Sequence, residues 1–113
     1  MSENSELIYL FGFSSRQTYQ LTHLLPIINE QIKLGIKITV ILLHDGVIGI
    51  SKYGQIPDSL NKLLALNLRV CALIPDIIAR GLDPNNVDTR VHCIEYDELV
   101  DYLVQIPKVV SWM

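Results

Sequence analysis

The sequence has little positive charge and no cluster of it. It contains 9 lysines and arginines against 12 aspartates and glutamates, a formal net charge of −3 at pH 7. Proteins that bind DNA or RNA gain much of their affinity from clustered lysine and arginine side chains that contact phosphates. Direct nucleic-acid binding is therefore not expected as the main task.

The sequence also lacks a long hydrophobic run. The longest, Ile38 to Leu43, is interrupted by Thr39, whereas a membrane-spanning helix needs about 20 apolar residues. The first residues, Met1 to Glu6, are acidic and polar, which is unlike a secretory signal peptide. We expect no attachment to a membrane.

Cysteine is scarce, and histidine is scattered. Cys71 and Cys93 are not in a Cys-x-x-Cys spacing and are too few for a disulfide scaffold, which predicts a cytoplasmic location. His23, His44 and His92 have no metal-ligand spacing among themselves or with the cysteines. No metal site is expected.

No linker composition and no internal repeat divides the chain. The 113 residues are 50% hydrophobic, which suffices for one buried core. The sequence predicts a single domain over residues 1–113.

Five short apolar segments alternate with segments of helical character. Nearly continuous apolar runs are typical of strands covered on both faces. The predicted strands are Leu7–Phe13, Ile36–Leu43, Leu68–Ile74, Arg90–Ile94 and Lys108–Trp112. This alternation predicts a three-layer α/β/α fold with a five-stranded parallel sheet, because right-handed crossovers pass over the sheet.

Capping residues indicate where the helices begin. Ser14 and Gln17 fit a capping box at the start of the first helix. Asp58 is predicted to cap the second helix, and Pro75 to open a short third one. A fourth, amphipathic helix is predicted over Asp97–Val104.

Ligands of parallel sheets collect at the carboxyl ends of the strands. The residues predicted to lie there are Ser14, Ser15, His44, Asp45, Gly46, Pro75, Asp76, Glu95 and Tyr96. Asp45 and Gly46 predict a tight turn after the second strand, because glycine tolerates positive φ. This turn is expected to face a cleft or a subunit interface.

Phosphate-binding signatures are missing. Neither G-x-G-x-x-G nor G-x-x-x-x-G-K-[ST] occurs, so no cofactor is expected. Ser14 and Ser15 offer hydroxyls beside a helix start that could hold an anion, but plain capping is the favoured interpretation because the capping box already accounts for Ser14 and Gln17. Asp76 and Arg80, four residues apart, predict a surface ion pair, with a ligand role as the alternative.

Cys71 lies in the middle of the third predicted strand. Strand alternation places Cys71 and Leu73 on one face and Val70 and Ala72 on the other, and both faces should be covered. The sequence predicts a buried, slowly reacting thiol. A sulfur-carrying nucleophile, helped by the helix that begins at Pro75, is the alternative.

Three stretches share their order and spacing with a known family. Leu42-Leu43-His44-Asp45-Gly46-Val47 is followed by a strand that runs through Ala72-Leu73 into Asp76-Ile77-Ile78-Ala79-Arg80-Gly81, and the last strand ends at Trp112. This set resembles the DsrH/TusB branch of the DsrE/DsrF/DsrH family, over essentially the whole chain. His44 stands where that branch commonly has glutamine.

The resemblance implies a sheet of order 4-3-2-1-5 and a cytoplasmic sulfur-relay role. In such a relay persulfide sulfur passes between cysteines of small proteins, toward 2-thiouridine at the tRNA wobble position or in dissimilatory sulfur oxidation. The implied partners are further copies or DsrE/DsrF-like subunits, and a sulfur-carrier protein. DsrH/TusB-type subunits generally lack the acceptor cysteine, and Cys71, ten positions before Gly81, lies farther from that glycine than an acceptor usually does.

Three functional hypotheses follow from these observations. The first is an accessory subunit of a sulfur-relay complex. The second is a sulfurtransferase that carries persulfide on Cys71, and the third is a small-molecule or nucleotide-binding module that uses Ser14, Ser15 and Asp45. Trp112 and Tyr102 predict an oligomer, because a short chain has little room to bury two large rings.

Overall fold

The five apolar segments form one sheet. In the computed structural model, which describes residues 5–16 and 18–113, the strands are β1 (Glu6–Phe11), β2 (Lys37–Leu42), β3 (Arg69–Leu73), β4 (Val91–Ile94) and β5 (Val109–Trp112). All neighbours are parallel, in the order β4-β3-β2-β1-β5. The predicted fold class and strand order are confirmed, and each strand ends within two residues of its predicted bounds.

Among the described residues, four α-helices cover this sheet unequally. They are α1 (Thr18–Lys33), α2 (Asp58–Leu64), α3 (Ile74–Ala79) and α4 (Tyr96–Gln105). The chain moves in one direction across the sheet from β1 to β4, so right-handed crossovers place α1, α2 and α3 on one face. The connection from β4 to β5 returns across the sheet and places α4 alone on the other face.

The buried side chains follow this asymmetry. The face under α1 and α2 holds the larger cluster, with Phe11, Leu21, Leu24, Ile28, Leu60 and Leu63 among its fully buried members. The face under α4 holds a smaller cluster, with Ile8, Ile41, Cys71, Leu73, Ile94 and Ile106. No residue of α4 itself is buried. The α4 layer is therefore the more thinly packed one.

Three helix starts lie one residue earlier than predicted, and α3 begins at Ile74 rather than at Pro75. Asp58 is the first residue of α2, so the N-cap position is taken by Pro57 and not, as predicted, by Asp58. In α4 the capping box is formed by Glu95 and Glu98, which satisfies the free N–H groups of the first turn earlier than predicted. The capping box predicted for Ser14 and Gln17 falls outside the described residues because it depends on Gln17.

No helix in the part of the chain that the structure describes is long and apolar enough to cross a membrane.

Candidate functional site

The carboxyl ends of β2 and β3 carry a network of charged side chains. The His44 amide donates a hydrogen bond to Asp76 Oδ2 at 2.8 Å. Arg80 Nε donates to Asp45 Oδ1 at 3.2 Å, and Arg80 Nη1 lies 3.9 Å from Asp76 Oδ1. The predicted pair of Asp76 and Arg80 is present, and Arg80 also joins it to the turn after β2.

The turn after β2 forms as predicted, but for a different reason. β2 ends at Leu42 and a single 3-10 turn spans His44–Val47, closed by a 2.7 Å hydrogen bond from the Gly46 amide to the Leu43 carbonyl. The residue with positive φ is His44, at 50°, and not Gly46. Gly46 is required because a Cβ there would overlap the carbonyl oxygen of Phe11.

The network holds a strained residue in place. A non-glycine residue with positive φ costs about 1 to 2 kcal/mol relative to its usual conformations. The backbone amide of His44 is fixed by the Asp76 carboxylate, whose side chain is 15% exposed. Asp76 therefore stabilises the turn that presents His44 and Asp45.

We expect Asp76→Ala to lower the free energy of unfolding by about 1.5 kcal/mol, because it removes a charge-assisted hydrogen bond from an otherwise strained turn. Chemical denaturation monitored by circular dichroism measures this change. Glu30→Ala is the matched control, since it removes an exposed pair with Lys33 that is worth at most about 0.5 kcal/mol. Equal effects of the two substitutions would contradict the role given to Asp76.

The predicted serines do not join this network. Ser15 is 1% exposed, and its hydroxyl donates to the Ile48 carbonyl at 2.7 Å. Ser14 accepts a hydrogen bond from the Arg16 amide at 3.2 Å. Ser15 therefore fastens the segment after the turn to the end of β1 and offers no free hydroxyl at the surface.

Trp112 packs within its own chain. Its ring lies against the cluster under α1, and Nε1 donates to Gln20 Oε1 at 3.2 Å. The prediction of an oligomer rests on Trp112 and Tyr102 as rings with little room to be buried. The packing of Trp112 within the chain weakens this argument. The oligomeric state itself remains a prediction.

Cys71 lies on the opposite side of the sheet, under α4. Its side chain is fully buried, and Sγ donates a hydrogen bond to Tyr102 Oη at 3.8 Å. The same Tyr102 oxygen also accepts a hydrogen bond from Arg69 Nη1 at 3.1 Å. Burial raises the pKa of the Cys71 thiol, while the Tyr102 hydroxyl and the Arg69 charge act in the opposite direction. The predicted face of Cys71 and Leu73 is confirmed.

A groove lies beside this thiol, at the amino ends of the strands. It has a volume of about 360 Å³ and is lined by Glu6, Lys37, Thr39, Arg69, Glu98, Asp101, Tyr102, Gln105 and Ile106. The groove is not predicted from the sequence, because the rule that ligands collect at the carboxyl ends of strands points to the opposite edge of the sheet. The sequence feature that indicates this groove is the alternation along β3, which places Arg69 and Cys71 on the same face of the sheet.

Cys93 is half-buried near the edge of the sheet. Its thiol donates to the Pro84 carbonyl at 3.8 Å, and burial raises its pKa. Among residues 5–16 and 18–113, no group of three or more histidine, cysteine, aspartate or glutamate side chains is placed to hold a metal ion.

Comparisons with known proteins bear on sequence and on fold. A family model described as "DsrH like protein" matches residues 14–109. No curated protein matches the chain.

Solved structures share the fold. The ychN protein from E. coli aligns with a TM-score of 0.72 at 16% identity, over 95% of this chain and 98% of that one. A conserved protein of unknown function from Bacteroides thetaiotaomicron gives 0.72 at 18% identity, over 98% and 97%. A protein of unknown function from Methanobacterium thermoautotrophicum gives 0.69 at 14%, over 96% and 99%. At these identities the likeness concerns the fold alone.

Proposed function

The chain belongs to the DsrH-like family, and on this premise we propose that it is an accessory subunit of a cytoplasmic sulfur-relay complex. Membership of the family indicates a sulfur-relay subunit. The accessory role, the cytoplasmic location and the assembly with DsrE/DsrF-like subunits are the parts that we propose. The delivered sulfur would serve either tRNA wobble 2-thiouridine formation or sulfur oxidation.

The burial of Cys71 supports the accessory role. In persulfide transfer the acceptor thiolate attacks the outer sulfur of the donor persulfide, a new S–S bond forms, the old one breaks, and the donor leaves as a thiolate. This attack requires an accessible, ionised acceptor. Cys71 is 0% exposed, and its raised pKa favours the neutral thiol.

The carboxyl-end network supports a role in docking. The Asp45 side chain is 64% exposed while it pairs with Arg80, which is 26% exposed. Because this pair of charges is partly exposed and held in a fixed geometry, a partner subunit with complementary charges can recognise it. We assign to His44, Asp45, Asp76 and Arg80 the recognition of a neighbouring subunit, and not catalysis.

The decisive experiment measures sulfur transfer through the assembled complex. We expect Cys71→Ser to leave the rate of transfer within about twofold of the native rate, because the substitution removes no carrier atom. Transfer of ³⁵S from a cysteine desulfurase, through a complex with DsrE-like and DsrF-like subunits, gives the rate. Cys93→Ser is the control, and a loss of about tenfold or more in Cys71→Ser alone would overturn the accessory role.

The carrier role for Cys71 is the second candidate, and one observation favours it. Tyr102 and Arg69 stand beside the thiol and both oppose the larger effect of burial on its pKa, as a thiolate-stabilising pair would. Stoichiometric persulfidation by a donor desulfurase, lost in Cys71→Ser and retained in Cys93→Ser, would select this candidate. The small-molecule module has less support, because the Ser15 hydroxyl is already bonded to Ile48.

A further inference from the structure

The helix α4 has more apolar surface than the sheet covers. Leu99 and Tyr102 pack toward the sheet, against the cluster that contains Cys71. On a neighbouring face of the helix, four large apolar side chains remain exposed. They are Tyr96 at 58%, Val100 at 55%, Leu103 at 37% and Val104 at 77%.

These four residues form one stripe. Their spacing of four, three and one residues places them on one side of a helix. We call this set, Tyr96, Val100, Leu103 and Val104, the α4 stripe. Scattered single apolar residues are ordinary on protein surfaces, but a stripe along one helix face is typical of a surface that binds another helix.

The charged side chains of α4 itself all have one sign. The helix contains Asp97, Glu98 and Asp101 and no lysine or arginine, and Glu95 caps its start. Asp97 and Asp101, one turn apart, border the stripe next to Val100 and Val104, and Asp101 also lines the groove that contains Lys37 and Arg69. Two copies of the chain that pack α4 against α4 would bring these carboxylates together, which is unfavourable at an interface.

We propose that the α4 stripe is the docking site for an amphipathic helix of a different protein chain, one whose apolar face is bordered by lysine or arginine. Apolar contact supplies the affinity, and the aspartates select the basic partner and exclude a second α4. The inference rests on the proposed function in that it assigns a surface for one partner subunit. It is distinct from the carboxyl-end network at Asp45 and Arg80.

Two synthetic helical peptides of identical leucine pattern test the proposal, one bordered by lysine and the other by glutamate. Fluorescence anisotropy with the full chain measures both affinities. We expect the lysine peptide to bind at least about tenfold more tightly at low salt, and the preference to shrink as salt is raised. The double variant Asp97→Lys, Asp101→Lys should invert the preference.

A second pair of variants tests the apolar part. Val104→Ser should weaken binding of the lysine peptide by about tenfold, whereas Ile27→Ser, at an exposed position on α1, should leave it unchanged. Circular dichroism verifies that each variant is folded. Equal binding of the two peptides, or an unchanged preference in the charge-reversed chain, overturns the proposal, as does self-association of the native chain that Val104→Ser abolishes.

The same variants separate this proposal from the proposed function. If the native chain and Val104→Ser assemble equally with DsrE-like and DsrF-like subunits, the α4 stripe is not the docking site and the accessory role stands. If the native chain assembles with neither subunit while the peptide results hold, the proposed function fails and the α4 stripe remains a docking site.

Discussion

Replacing Gly46 by alanine should lower the free energy of unfolding by about 3 kcal/mol, the upper range for overpacking a buried position. A Cβ at position 46 would overlap the carbonyl oxygen of Phe11. That carbonyl cannot move away easily, because it accepts a 3.0 Å hydrogen bond from the Leu43 amide. Phe11 is also fully buried at the end of β1, which lies between β2 and β5.

Thermal unfolding measures this effect. A loss of about 3 kcal/mol in a domain of this size should reduce Tm by at least about 10 °C. Gly54→Ala is the matched control, because the nearest atom to a Cβ there is Arg16 Nη2 at 3.7 Å, an ordinary contact. If the Tm of Gly46→Ala lies within about 2 °C of that of the control, the close approach of the turn to β1 does not require glycine at position 46.

Alkylation of Cys71 in the folded chain should be slower than in the unfolded chain by about 100-fold or more, which corresponds to an opening free energy of about 2.7 kcal/mol. The thiol is fully buried beneath Tyr102, so a reagent can reach it only when α4 moves. Cys93, which is half-buried, should react faster.

Single-cysteine variants make this measurement unambiguous. In Cys93→Ser only Cys71 reacts with iodoacetamide, and in Cys71→Ser only Cys93 reacts. Mass spectrometry of quenched samples gives both rates, with and without denaturant. Labelling of Cys71 in the native chain at the rate of the unfolded chain would contradict its burial and support the carrier role.

The same thiol gives a pH dependence of stability with a definite sign. Burial raises the pKa of Cys71 in the folded chain, whereas the pKa of a cysteine in an unfolded chain is about 8.5. The unfolded state therefore loses its proton first as the pH rises. The contribution of Cys71 to stability is fully present below that value and declines above it, and Cys71→Ser should show a smaller decline.

Much of the fold follows from local patterns, and the candidate site follows only in part. Five apolar runs with intervening helical periodicity suffice to predict the parallel sheet, because its inner strands β1, β2 and β3 bury both of their faces. Alternation along β3 likewise places Cys71 on the correct face. These features depend on residues that are neighbours along the chain.

Contacts between distant segments were beyond local reasoning. The bond from Arg80 to Asp45 joins two strand ends, and no spacing within either segment specifies it. The need for Gly46 arises from the position of Phe11, and the turn residue with positive φ is His44. The sequence pattern therefore predicts the position of the turn correctly. Its explanation of Gly46 by positive φ is wrong, because the space beside Phe11 is what requires glycine.

The uneven coverage of the sheet has a consequence for the order of unfolding. Three helices protect one face, whereas α4, with no buried residue, protects the other. Elements with few buried contacts open at lower free energy than the core and exchange their amide hydrogens first. The amides of α4 should exchange with deuterium before those of α1. A partner that binds α4 would then slow this exchange and also reduce the access of reagents to Cys71. Docking on the outer surface would in this way change the reactivity of a thiol that the partner does not contact.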